Sequence, residues 1–86
     1  MMYLIRYRKS AAKSLSKAPA GIRARVVSEL AKIAEDPFAH NANWKSMTDS
    51  PYWRLRVGAW RAVCELRKGE LILLVLEFGA RGDVYK

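Results

Sequence analysis

Arginine alternates with aromatic and aliphatic side chains in two neighbouring stretches, Tyr52-Trp53-Arg54-Leu55-Arg56-Val57 and Trp60-Arg61-Ala62-Val63. Read with a period of two, the first puts Arg54 and Arg56 on one face of a strand and Trp53, Leu55 and Val57 on the other. A hairpin turning at Gly58-Ala59 brings Arg61 alongside Arg56. Like charges on adjacent strands repel unless an anion lies among them, which suits the cluster to a phosphate group, although solvent screening also tolerates it. Arginine grips phosphate through paired hydrogen bonds and stabilises charge that develops in a transition state. Its pKa above about 12 keeps it from trading protons. Tyrosine trades them once cationic neighbours pull its pKa down from about 10. An RNA strand supplies its own nucleophile, the 2′-hydroxyl, so Tyr85 with Arg54, Arg61 and Arg81 is a chemically sufficient set for slow metal-free transesterification. The same residues also make a plain binding surface.

Other chemistries lack their residues. His40 is the single histidine and sits in a loop beside Asn41, without a cysteine partner or a carboxylate at ligand spacing, so a metal site or a Ser-His-Asp arrangement is unsupported. Glu65, Glu70 and Glu77 fall on separate strand positions and Glu35-Asp36 at a helix end, which does not make an acid-base pair. Neither standard glycine-rich phosphate loop is present. Cys64, in the apolar run Ala62-Val63-Cys64, reads as a small core residue, and as the lone cysteine it forms no internal disulfide. No cofactor is implied.

The elements that must position the arginines follow from patterning. Met2 to Tyr7 reads as a first strand of period two. From Lys9 the spacing of Ala11, Ala12, Leu15 and Ala18 becomes helical. Pro19 and Gly21 interrupt, and a second helix is predicted from about Ala20 to Glu35 on the stripe Ile22, Val26, Leu30 and Ile33, closed by Pro37. Residues 36 to 51 read as a connecting loop anchored by Trp44 and Met47. Strands are then predicted at Tyr52 to Val57, Trp60 to Arg67 and Leu71 to Phe78, with a flexible terminal segment from Gly79. The expected architecture is a single α+β domain over residues 1–86: a strand, a helical hairpin, then a three-stranded antiparallel meander, with the helices on one face of a twisted sheet.

The chain has 86 residues with 16 Lys plus Arg against 8 Asp plus Glu, a formal charge of +8, and its 51% hydrophobic content is that of a folded chain. No apolar run approaches the roughly 20 residues a membrane span needs, and Arg6 and Arg8 interrupt any leader-like start, so a cytoplasmic protein is expected. The first 28 residues carry Arg6, Arg8, Lys9, Lys13, Lys17, Arg23 and Arg25 and no acid. Singly these are solvated side chains; together they make a field that a polyanion feels.

The order of elements, with Trp44-Lys45-Ser46-Met47, the run Tyr52 to Gly58, Trp60-Arg61 and the ending Gly79-Ala80-Arg81-Gly82-Asp83-Val84-Tyr85, resembles the RelE/ParE superfamily of toxins from type II toxin-antitoxin modules over nearly the whole chain. For the RelE branch the resemblance implies a ribosome-dependent endonuclease that cuts mRNA in the A site. Arg61 and Arg81 would stabilise the scissile phosphate, Arg54 would stand where a phosphate-contacting lysine is usual, and Tyr85 would move a proton or stack on a base. Arg56, Lys45 and Tyr52, with Lys13, Lys17, Arg23 and Arg25, would hold RNA. Tyr52 falls at a second lysine position, Ala59 replaces a usual aspartate, and Ala80-Arg81-Gly82 replaces a His-Arg-Arg triplet.

The resemblance further implies an acidic, partly disordered antitoxin encoded beside the toxin, and contact with operator DNA only through that complex. Two other functions remain open: a non-catalytic gyrase inhibitor like the ParE branch, or a degenerate toxin that serves only to bind antitoxin and regulate DNA.

Overall fold

The structure is a computed structural model and describes residues 2–80. Its elements run β1 (Leu4–Tyr7), α1 (Lys9–Ser16), α2 (Ala20–Glu35), β2 (Trp44–Ser46), β3 (Tyr52–Val57), β4 (Trp60–Arg67) and β5 (Ile72–Ala80). They form one five-stranded sheet in the order β1-β5-β4-β3-β2. β1 lies parallel to β5, with Leu4 opposite Ile72 and Tyr7 opposite Val75, and every other pairing is antiparallel.

The helical hairpin forms as its spacing predicts. Ala11 and Leu15 of α1 and Val26, Leu30, Ile33 and Ala34 of α2 are buried. They share one core with Leu55, Val57, Ala62, Cys64, Leu73, Val75 and Phe78, so both helices cover the same face of the sheet. The connection at Ala18 and Pro19 is closed by an unexpected partner. The Arg23 guanidinium donates from Nη1 to the carbonyls of Ser16, at the end of α1, at 3.1 Å and of Ala18, in the turn beyond it, at 3.3 Å. α2 starts after Pro19, which needs no amide partner there, and stops before Pro37, which disfavours helix in the residue ahead of it.

The expected loop between α2 and β3 contains a strand, β2, which extends the antiparallel part of the sheet from three strands to four. Three residues with one apolar member carry no readable period. What fixes them is Trp44, buried and stacked on Trp53 at 5.2 Å, with its indole N–H donating to Pro37 O at 2.9 Å. Phe38 meets Trp53 edge-on at 5.9 Å, and the Lys68 ammonium lies 5.2 Å from the Phe38 ring. At the other end, β5 continues through Gly79 and Ala80, two residues beyond its expected end, because β4 still pairs with it there.

Candidate functional site

Gly58 is the first central residue of the two-residue turn between β3 and β4, with φ +59°, a conformation that a side chain disfavours. This turn sets Arg56 directly opposite Arg61. The Arg56 N–H donates to Asn43 O at 2.8 Å, toward β2 and away from β4. Arg56 and Arg61 are therefore a non-hydrogen-bonded pair, the closer kind, with Cα atoms about 4.5 Å apart. Their register continues across the sheet to Gly79.

The next row on the same face holds Lys45, Arg54, Val63 and Glu77. A third holds Tyr52 and Glu65, and at the far end Glu65 binds Arg67 at 2.9 Å. Positive charge on this face is thus neutralised near the β4–β5 turn and concentrated near Gly58. Arg56 and Lys45 are exposed, and Arg54 and Arg61 are half-buried, their stems lying beside Val63, which is buried outside the helix-covered core. The face opposite the helices is a two-row cationic surface able to hold a chain of phosphates and to stabilise charge growing on one of them.

Of the expected site residues, the fold brings Arg54, Arg56, Arg61, Lys45 and Tyr52 onto one surface. Arg81 and Tyr85 lie outside the described residues. Lys13, Lys17, Arg23 and Arg25 belong to the helical hairpin on the other side of the sheet, so they do not join that surface, and Arg23 is engaged with the end of α1. Lys17 comes nearest, at the rim where α1 approaches the end of β5.

Among the described residues no three His, Cys, Asp or Glu side chains gather at metal-binding distance. Burial pushes the Cys64 thiol up to about 12, which keeps it protonated and unreactive, and burial beside Cys64 also raises the Tyr7 phenol. Among the described residues no helix is long and apolar enough to cross a membrane.

Comparison with known proteins agrees with this architecture. Residues 5–85 match the family model described as the ParE toxin of the type II toxin-antitoxin system parDE. An Escherichia coli protein described as a RelE-like toxin is 28% identical over 87 residues, covering 99% of this chain and 92% of its own.

Among solved structures, the isolated E. coli RelE toxin superposes with a TM-score of 0.80 at 15% identity, over 96% of this chain and 88% of that one. The toxin-antitoxin complex RelBE2 of Mycobacterium tuberculosis gives 0.77 at 22% identity, covering 94% of this chain and 100% of that one. The archaeal RelE-RelB complex of Pyrococcus horikoshii gives 0.78 at 18%, covering 98% and 100%. These likenesses establish the shared fold, and the family match adds what the fold alone does not: this chain belongs to the ParE toxin family of type II toxin-antitoxin systems, within the RelE/ParE superfamily.

Proposed function

We propose that this toxin is a ribosome-dependent mRNA endonuclease. The carrying observation is the juxtaposition of Arg56 and Arg61 across β3 and β4, continued by Lys45 and Arg54 in the adjacent row. In the reaction the 2′-oxygen of one nucleotide attacks the adjacent phosphorus and the bond from phosphorus to the 5′-oxygen breaks, leaving a 2′,3′-cyclic phosphate and a free 5′-hydroxyl. Arg61, Arg54 and Arg81 stabilise the phosphorane charge; Tyr85 takes the 2′-hydroxyl proton as its phenolate, and the 5′-oxygen takes a proton from water. The cytoplasm, where translating ribosomes are found, is the corresponding compartment.

A cognate antitoxin, acidic and partly disordered when free, would cover this surface and carry the complex to operator DNA. The RelBE complexes that share the fold support such a partner. The decisive experiment is expression without antitoxin, followed by mapping of mRNA ends on translating ribosomes. Cleavage within the A-site codon, lost in Arg81→Ala and in Tyr85→Phe while both variants stay folded, is the expected result. Unchanged mRNA in toxin-expressing cells rejects the reading.

The match to a ParE family model favours a second reading, inhibition of DNA gyrase without catalysis. A supercoiling assay on purified gyrase run beside the ribosome assay separates the two.

A further inference from the structure

β5 does not alternate evenly along its length. Its register with β4 sets Gly79 opposite Arg61, Phe78 opposite Ala62 and Glu77 opposite Val63, then resumes with Val75 opposite Cys64, so Leu76 is one residue in excess. Such a bulge turns the side chains beyond it to the other face of the sheet. Val75 lies in the core beneath the helices, and even alternation from there would carry Glu77 into the core and Phe78 out of it. The bulge reverses this. Phe78 joins the core, and Glu77 is exposed on the cationic face, in the row of Lys45, Arg54 and Val63.

There Glu77 has Arg61 as its diagonal neighbour on β4, with the two side chains starting about 7 Å apart. Gly79, directly opposite Arg61, carries no side chain, so among the described residues Glu77 is the β5 side chain nearest Arg61 on this face. The other carboxylate of the face, Glu65, is engaged by Arg67 at 2.9 Å. Among the described residues Glu77 makes no ion pair, although Arg54, Arg56 and Arg61 share its face.

An unpaired carboxylate weakens the hold of this surface on any chain of phosphates, since it repels the groups that the arginines attract. That repulsion is offset only where the ligand brings a hydrogen-bond donor, because an ionised carboxylate can only accept. A phosphodiester has no donor, and neither has deoxyribose within a strand. Ribose has the 2′-hydroxyl, on the carbon beside the one that carries the 3′-phosphate. A phosphate held at Arg61 or Arg54 therefore brings a 2′-hydroxyl within the span of a glutamate side chain, while the base edges lie farther from the backbone.

We infer that Glu77 is the sugar-reading residue of the cationic face: its carboxylate accepts a hydrogen bond from a ribose 2′-hydroxyl and so selects RNA over DNA. The inference deepens the nuclease reading and rests on it for its biological meaning. A hydroxyl bonded to the carboxylate cannot give the same proton to a phenolate. The ribose that meets Glu77 thus belongs to a nucleotide flanking the reacting one, and proton transfer stays with Tyr85.

The test uses the full-length toxin, fluorescence anisotropy and three single strands of one sequence: RNA, DNA, and RNA with fluorine in place of every 2′-hydroxyl, which keeps an RNA-like sugar shape without the donor. Wild-type protein should bind RNA about tenfold more tightly than either of the others, the effect of one hydrogen bond to a charged group. Glu77→Ala should bring the three affinities together. Glu77→Gln, which keeps an accepting oxygen and loses the charge, should retain part of the preference. Equal binding of RNA and DNA by the wild type, binding of none of the strands, or a preference unchanged in Glu77→Ala overturns the inference. A gain in affinity for all three strands by one common factor in both variants overturns it as well, because Glu77 would then only repel phosphate.

RNA selectivity that depends on Glu77, with mRNA left intact on translating ribosomes, rejects the nuclease reading and leaves this inference standing. Cleavage of mRNA beside equal binding of RNA and DNA rejects the inference alone.

Discussion

Arg56 and Arg61 occupy facing positions on β3 and β4, with the Arg56 amide turned away toward Asn43. Two guanidinium stems are thereby held in the closest register a sheet provides, at a cost of a few tenths of a kcal/mol or more from like-charge repulsion. Arg56→Gln should consequently raise stability by about 0.5 kcal/mol in urea unfolding at low salt, with the gain shrinking as salt screens the pair. The same substitution should weaken RNA binding. Equal stability of the two proteins at every salt concentration would show that the pair is not strained electrostatically.

The cationic rows make a quantitative prediction about salt. If Lys45, Arg54, Arg56 and Arg61 each neutralise one phosphate of a single strand, a plot of log affinity against log salt should fall with a slope of about −3. Lys45→Ala should flatten it by about 0.7, and Lys13→Ala, on the opposite side of the sheet, should leave it nearly unchanged. Filter binding of a short RNA between low and moderate salt measures all three slopes.

Arg23 is predicted to matter for folding rather than for RNA. Its two hydrogen bonds to the carbonyls of Ser16 and Ala18 bridge the end of α1 and the turn into α2. Arg23→Ala should lower stability by about 1 kcal/mol. Arg25→Ala, which removes an exposed charge from the same helix, should change it by less than about 0.5. Chemical denaturation of both variants checks the contrast.

Trp44 anchors a strand that has little else to hold it. Trp44→Phe keeps an aromatic ring against Trp53 but leaves the Pro37 carbonyl without its indole donor, a loss of roughly 1 to 3 kcal/mol for a buried acceptor. The amide of Arg56 should then exchange faster, because its acceptor Asn43 sits next to Trp44. Hydrogen exchange at Arg56 reports the local loosening, and urea unfolding the total.

Cys64 links stability to alkaline pH. The unfolded thiol ionises near 9, while burial holds the folded one at about 12, so between these values the unfolded chain binds fewer protons than the native one. Stability is full below pH 9 and declines above it with a limiting slope of about 1.4 kcal/mol per pH unit. The raised Tyr7 phenol acts in the same direction. Urea unfolding from pH 8 to 10.5 should show the fall, and Cys64→Ala should flatten it. In the native protein the thiol should resist alkylation at pH 8.

How much of this was legible depended on how local each cause is. The faces of Arg54 and Arg56 follow from strand period, and the approach of Arg61 from a two-residue turn containing Gly58, all within ten residues of chain. The helical hairpin likewise follows from apolar spacing between two prolines. β2 was hidden because Trp44-Lys45-Ser46 has no pattern of its own and becomes a strand through its stacking partner Trp53. The last residues of β5 were hidden for a related reason, since Gly79 and Ala80 read as a turn until β4 supplies their partners. The capping role of Arg23 depends on which elements become neighbours in space, which periodicity does not encode.

The pairing of β1 with β5 joins the beginning of the chain to its end: Leu4 finds its partner only at Ile72. During synthesis the first strand emerges early and must wait, its edge and its share of the core open, until nearly the whole chain has been made. β5 also brings Gly79 up to Arg61, so the last strand to arrive both closes the sheet and completes the surface beside the arginines. A nascent copy of this toxin therefore cannot close its sheet, or set Gly79 beside Arg61, until β5 has left the ribosome.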